Sequence, residues 1–88
     1  MVISQLANNQ FVINTNNGVY FQSYESVVAH ISRNGTITLG NNWNYSQTTK
    51  KYLSRFLEMP YKDIVKDLEA KKINFDQNLT IKSSLDNS

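Results

Sequence analysis

Apolar and polar positions alternate along the first half of the chain and recur every three to four residues along the second. Val2 to Leu6 is a short apolar-rich run, followed by the turn-forming Ala7-Asn8-Asn9. Gln10 to Thr15 is rich in β-formers, and Asn16-Asn17-Gly18 follows. Asn-Gly between two such runs predicts a hairpin with a type I′ turn, which needs positive φ at both central positions. Val19 to Tyr24 is the return strand. Alternation sets Val19 and Phe21 on one face and Tyr20, Gln22 and Tyr24 on the other.

Glu25 to Ser32 reads two ways. Glu25 to Ile31 could open a short helix, but Val27, Ala29 and Ile31 alternate, and Val27-Val28 disfavours a helix. Arg33-Asn34-Gly35 is a second Asn-Gly turn and Thr36 to Leu39 a short strand, so 26–32 and 36–39 are expected to form a second hairpin. Gly40-Asn41-Asn42 then breaks the pattern.

The period changes at Ser46, a natural N-cap whose hydroxyl can accept from the amide of Thr48 or Thr49. Thr49, Tyr52, Leu53, Phe56 and Leu57 form one helical stripe, with Gln47, Lys51, Ser54, Arg55 and Glu58 opposite. Pro60 ends this helix and suits the start of the next. Tyr61, Ile64, Val65 and Leu68 repeat the stripe, Asp63–Lys66 and Asp67–Lys71 have ion-pair spacing, and Asn74 ends the second helix. Phe75 is expected to dock on the core, with Leu79-Thr80-Ile81 as a short extended segment.

Strands first and helices second predict an α+β fold. Its antiparallel sheet has four to five hairpin-connected strands, followed by two α-helices packed on one face. Phe11, Ile13, Val19, Phe21, Val27, Ile31, Ile37 and Leu39 are the candidates for the covered face. Residues 1–82 make one domain, and 83–88 read as a frayed tail.

Composition narrows the function classes. With 88 residues, one modest core is available and no deep two-domain cleft. The absence of cysteine excludes disulfides and thiolate metal sites. Met1 to Leu6 lacks the cationic and apolar regions of a signal peptide, and no run approaches about 18 apolar residues, so a cytoplasmic protein is expected. Net charge is only +2, but it is unevenly spread. Residues 1–45 hold just Glu25 and Arg33, whereas 46–73 hold Lys50, Lys51, Arg55, Lys62, Lys66, Lys71 and Lys72 against Glu58, Asp63, Asp67 and Glu69. Solvated helix lysines account for this at least as well as an anionic partner does.

No residue set amounts to a catalytic site. His30 is the single histidine and has no carboxylate at metal-ligand spacing. The helix carboxylates are interleaved with lysines, and no G-x-S-x-G elbow accompanies the serines. No catalytic residue, metal or cofactor is expected. Two binding surfaces are. Tyr20, Gln22, Tyr24, Val28 and His30, with Thr36 and Thr38, would make a tyrosine-bearing, charge-poor sheet face suited to a protein interface. Tyr45, Ser46, Lys50, Lys51 and Arg55 would make an anion or nucleic-acid edge at the first helix. Helix capping by Ser46, Thr48 and Thr49 competes with that second reading, and Tyr52 fits the core stripe.

Phe21-Gln22-Ser23-Tyr24-Glu25-Ser26-Val27-Val28-Ala29 resembles an F-x-S-Y-x-(T/S)-x-V-A element, and Asn44-Tyr45-Ser46-Gln47-Thr48-Thr49-Lys50-Lys51 resembles a Y-S-x-T-T-x-K/H element. The pair is similar to one found in small proteins of bacteriophages and mobile elements, classed as a domain of unknown function. Val27 stands where proline is common in them. The resemblance covers roughly 10–57 and brings no established activity. It implies a phage-type accessory protein that binds and inhibits a host protein in the host cytoplasm. A defence nuclease is one such target, which would make the chain an anti-CRISPR-type inhibitor. The alternative is a small nucleic-acid binder using 46–57.

Overall fold

The computed structural model describes residues 2–81. The tail expected at 83–88 lies outside them. Six strands form a single sheet in sequence order: β1 (Val2–Ala7), β2 (Gln10–Thr15), β3 (Gly18–Ser23), β4 (Ser26–Ile31), β5 (Ile37–Leu39) and β6 (Asn74–Phe75). Helices α1 (Gln47–Leu57) and α2 (Tyr61–Glu69) lie between β5 and β6 in the chain. The first five strands are antiparallel neighbours, while β6 runs parallel to β5. The α+β architecture expected from the sequence is therefore the one formed, with a sheet that is mixed rather than purely antiparallel.

The hairpin turns work differently from the type I′ expectation. Thr15 pairs with Gly18, so the loop is Asn16-Asn17, and positive φ falls on Gly18 alone, at 121°. A Cβ at Gly18 would sit 2.3 Å from the Ile31 carbonyl oxygen, so this position needs glycine for space as well as for φ. At the next Asn-Gly, the Gly35 amide donates to the Ser32 carbonyl at 2.9 Å and the Ser32 amide to the Thr36 carbonyl at 2.9 Å. With Gly35 at φ 91°, this is a three-residue loop that places its glycine last.

Register decides which side chains face the helices. Phe21 pairs with Val12 and with Ala29, and Ala29 pairs with Leu39. The core gathers Phe21, Val28, Ala29 and Leu39 from the sheet with Leu53, Leu57, Ile64 and Ile73 beneath the helices. Phe56 stacks on Phe21 with ring centroids 5.6 Å apart. Phe11 and Ile13, expected on this covered face, lie on the other: they pair with Gln22 and Tyr20. A one-residue difference in register moves a whole strand between faces.

A second correction comes from a bulge in β4. Phe21 pairs with Ala29 but Gln22 with Val27, which leaves Val28 as the extra residue. Val28 is fully buried in the helix-side core, and Val27 takes the place opposite Gln22.

The C-terminal third departs furthest from the expectation. α2 ends at Glu69, not Asn74, and Lys71 has φ 63°, so Asp67 and Lys71 are not neighbours on one helix. Ile73, not Phe75, is the residue that docks: Ile73 is buried and Phe75 is 51% exposed. Beyond β6 the Asp76 amide donates to the Leu39 carbonyl at 2.9 Å, and the Leu79 amide to the Asp76 carbonyl at 3.0 Å. This turn brings Leu79 beside Gly40.

Candidate functional site

The sheet face opposite the helices is not the open surface expected from alternation. Tyr20 is only 2% exposed. His30 stacks on it at 4.2 Å, nearly parallel, and its Nε2 donates to the Asn17 carbonyl at 2.8 Å. Asn17, Thr38, Asp76, Leu79 and Thr80 crowd the same place. His30 thus ties the β2–β3 loop to the sheet, and the chain after β6 lines the same cavity. Gln22 stays half-exposed on this face, and its amide donates to the Tyr24 carbonyl at 3.0 Å. Val28 faces the helices, for the reason given above. The five residues expected to form one surface are therefore split among three environments.

Tyr24 is the fifth, and it is not in a strand. Ser23 pairs with Ser26, so Tyr24 and Glu25 form the β3–β4 turn. Tyr24 holds φ at 57°, a conformation that bulky side chains rarely adopt. Its amide donates to the Asn9 carbonyl at 2.7 Å, which anchors the turn against the β1–β2 loop. Its ring points outward and meets Tyr45 edge to face, with centroids 6.4 Å apart. The two rings are 41% and 69% exposed.

Behind them lies a chain of hydroxyls. Ser46 caps α1 by accepting from the Thr49 amide at 3.1 Å, as its position before the helical stripe predicts. The Thr49 hydroxyl lies 3.1 Å from that of Ser46 and 2.8 Å from that of Ser23, which is buried. Asn42 donates to the Ser26 hydroxyl at 3.1 Å. Ser23, Tyr24, Glu25, Ser26, Asn42, Tyr45 and Thr49 enclose a half-open cleft of about 520 Å³. Its floor is hydroxyl and amide, its walls are aromatic, and Glu25 is its single charged residue. The two segments that carry the resemblance meet here, one supplying Ser23 to Ser26 and the other Tyr45 to Thr49.

A second shallow cleft, of about 500 Å³, runs along the outer side of the helices between Gln47, Lys50, Lys51, Ser54, Arg55 and Tyr61. The Lys50 ammonium lies 5.3 Å from the centre of the Tyr61 ring. Lys51 and Arg55 lie 5.5 and 5.4 Å from that of Tyr52. Trp43 stacks on the Tyr61 ring at 5.9 Å. The expected edge of Tyr45, Ser46, Lys50, Lys51 and Arg55 is thus divided: the first two belong to the tyrosine cleft and the cations to this one. The spacing of Tyr61 places it in the helical stripe, and nothing in that spacing shows that its ring also carries a lysine.

Among the described residues, no three His, Cys, Asp or Glu side chains gather as metal ligands, and no helix is long and apolar enough to cross a membrane. A family model described as a family of unknown function (DUF8033) matches residues 4–77. The chain belongs to this family. Both clefts, the two helices and β6 lie within the DUF8033 region. No curated protein and no solved structure matches the chain.

Proposed function

We propose that this DUF8033 protein is a non-catalytic interaction module that grips another protein through the Tyr24–Tyr45 cleft. The observation that carries the reading is Tyr24 itself. Its φ of 57° sits in a two-residue turn where asparagine or glycine would be less strained. Its exposed ring adds nothing to the core, so folding gives no reason for a tyrosine here. Exposed tyrosines over a hydroxyl floor, with little formal charge, have the chemistry of interface anchors. The phage-type resemblance supports the further reading that the partner is a host protein in the host cytoplasm, inhibited by being covered, with a defence nuclease among the candidates.

The test is affinity capture from bacterial lysate with the immobilised protein, its Tyr24→Asn/Tyr45→Ala variant and a Lys50→Ala/Lys51→Ala/Arg55→Ala variant. A specific partner should be retained by the wild type and the cation variant and lost by the tyrosine variant. Undiminished capture by a folded tyrosine variant would sink the proposed cleft.

One observation favours a second reading. The cleft bearing Lys50, Lys51 and Arg55 has no carboxylate in its lining, and an aromatic ring lies under each cation. That surface suits a nucleic-acid backbone. It predicts oligonucleotide affinity that falls steeply with salt and is lost in the cation variant. No binding of single- or double-stranded DNA or RNA at low salt would remove it.

A further inference from the structure

Among the described residues, β1 is the outermost strand of the sheet and is paired with β2 on one side only. Its other side offers a row of backbone N–H and C=O groups, which is a template for one more strand. Folded monomers usually blunt such an edge with lysine, proline, a β-bulge or very short length. β1 has six residues, Val2-Ile3-Ser4-Gln5-Leu6-Ala7, with no charge and no proline. A register shift between Gln5 and Ala7 disturbs only its end and leaves Val2 to Gln5 regularly paired. Val2 and Ile3 are 63% and 61% exposed. The opposite edge is protected differently: β6 has two residues and the chain then turns away at Asp76.

We infer that β1 pairs antiparallel with β1 of a second copy, joining the two sheets into one across a two-fold axis near Ser4. The unpaired backbone row calls for a β-strand as occupant. The sequence of β1 suits its own reverse: about the axis, Ser4 faces Ser4 of the second copy and Ile3 faces Gln5 of the second copy, all within the regularly paired stretch. No like charges oppose one another in that pairing, as they would if the basic α1 met itself. Head-to-tail growth of β1 onto β6 is disfavoured because β6 offers only two residues, so the assembly closes as a dimer. Ile3 already lies beside Ile13, and Ile13 beside Tyr20. The new pairing extends that row into the second copy. This inference does not depend on the Tyr24–Tyr45 cleft.

Sedimentation equilibrium of the purified full chain tests it. The wild type should run as a dimer, and the Thr36→Lys control, on the loop before β5, should remain one. Ile3→Lys, which places a charge on an already exposed side chain, should weaken association at least about tenfold, because charges at a paired edge oppose pairing. The chain has no cysteine, so Ser4→Cys supplies a direct second measurement that needs no other change. Opposed residues of antiparallel strands lie about 4.5–5.5 Å apart at Cα, within disulfide reach. Mild oxidation should link Ser4→Cys chains into covalent dimers much faster than Thr36→Cys chains. A wild type that is monomeric at every concentration, or equal linking rates for the two cysteine variants, would overturn the inference.

Discussion

The hydroxyls of Ser23 and Thr49 lie 2.8 Å apart in a buried contact between β3 and α1. They form a polar joint between sheet and helix, and Thr49 also leans on the Ser46 cap. Thr49→Val keeps the shape and removes one partner, leaving the Ser23 hydroxyl buried and unsatisfied. The expected loss is about 1–3 kcal/mol. Adding Ser23→Ala should recover part of it, because the orphaned group is then gone. Urea unfolding of the two single variants and the double variant measures the coupling.

Gln10 is the opposite case. It faces Ser23 across the strand pair and is fully buried, and neither atom of its amide has a hydrogen-bond partner. Gln10→Met fills the same volume without a polar group. It should raise stability by about 1–2 kcal/mol, the lower part of the penalty for an unsatisfied buried amide. An unchanged or lowered urea midpoint would show that this amide is satisfied in solution.

Tyr24 should trade stability for binding. Tyr24→Asn relieves the left-handed strain and should stabilise the fold by about 1 kcal/mol. The same variant should lose the captured partner. Thermal unfolding and capture, measured on one preparation, should therefore move in opposite directions.

The alternating half of the chain was legible as strands because hairpin pairing is local and three of its four turns carry asparagine or glycine. α1 was legible because Ser46 and the Thr49–Leu57 stripe agree on where it starts and which way it faces. Facing within the sheet was legible for Phe21, Ile31, Ile37 and Leu39, but not for Phe11, Ile13 and the Val27-Val28 pair. Val28 turns inward because of a bulge that is invisible in a Val27-Val28 pair, and Phe11 and Ile13 face away from the helices because the two-residue loop pairs Ile13 with Tyr20 rather than with Phe21. The tyrosine cleft was hidden for a related reason. Tyr24 reads as the last residue of an alternating strand, and only the Ser23–Ser26 pairing puts it in a turn beside Tyr45. Its trace in the sequence is the pair of segments, 21–29 and 44–51, that meet there.

Ile73 and Phe75 make a contrasting pair. Ile73→Ala removes a buried side chain under the helices and should cost about 2–4 kcal/mol. Phe75→Ala alters a ring that is half in water and should cost under about 1 kcal/mol. Side-chain size alone would rank them the other way, so paired denaturation curves separate burial from size.

The parallel pairing of Thr38 with Asn74 has a kinetic consequence. Every other strand pair joins segments next to each other in the chain and can close early at little entropic cost, whereas β6 must wait for both helices to be placed. It works as a clasp: the helical layer is a loop whose two ends are fastened to one strand, β5 directly and β6 by pairing with it. Contacts made after the transition state govern how fast a protein opens rather than how fast it folds. Ile73→Ala is therefore expected to speed unfolding, raising the unfolding limb of a stopped-flow chevron, and to leave the refolding limb nearly where it was. Equal shifts in both limbs would mean that the clasp fastens early.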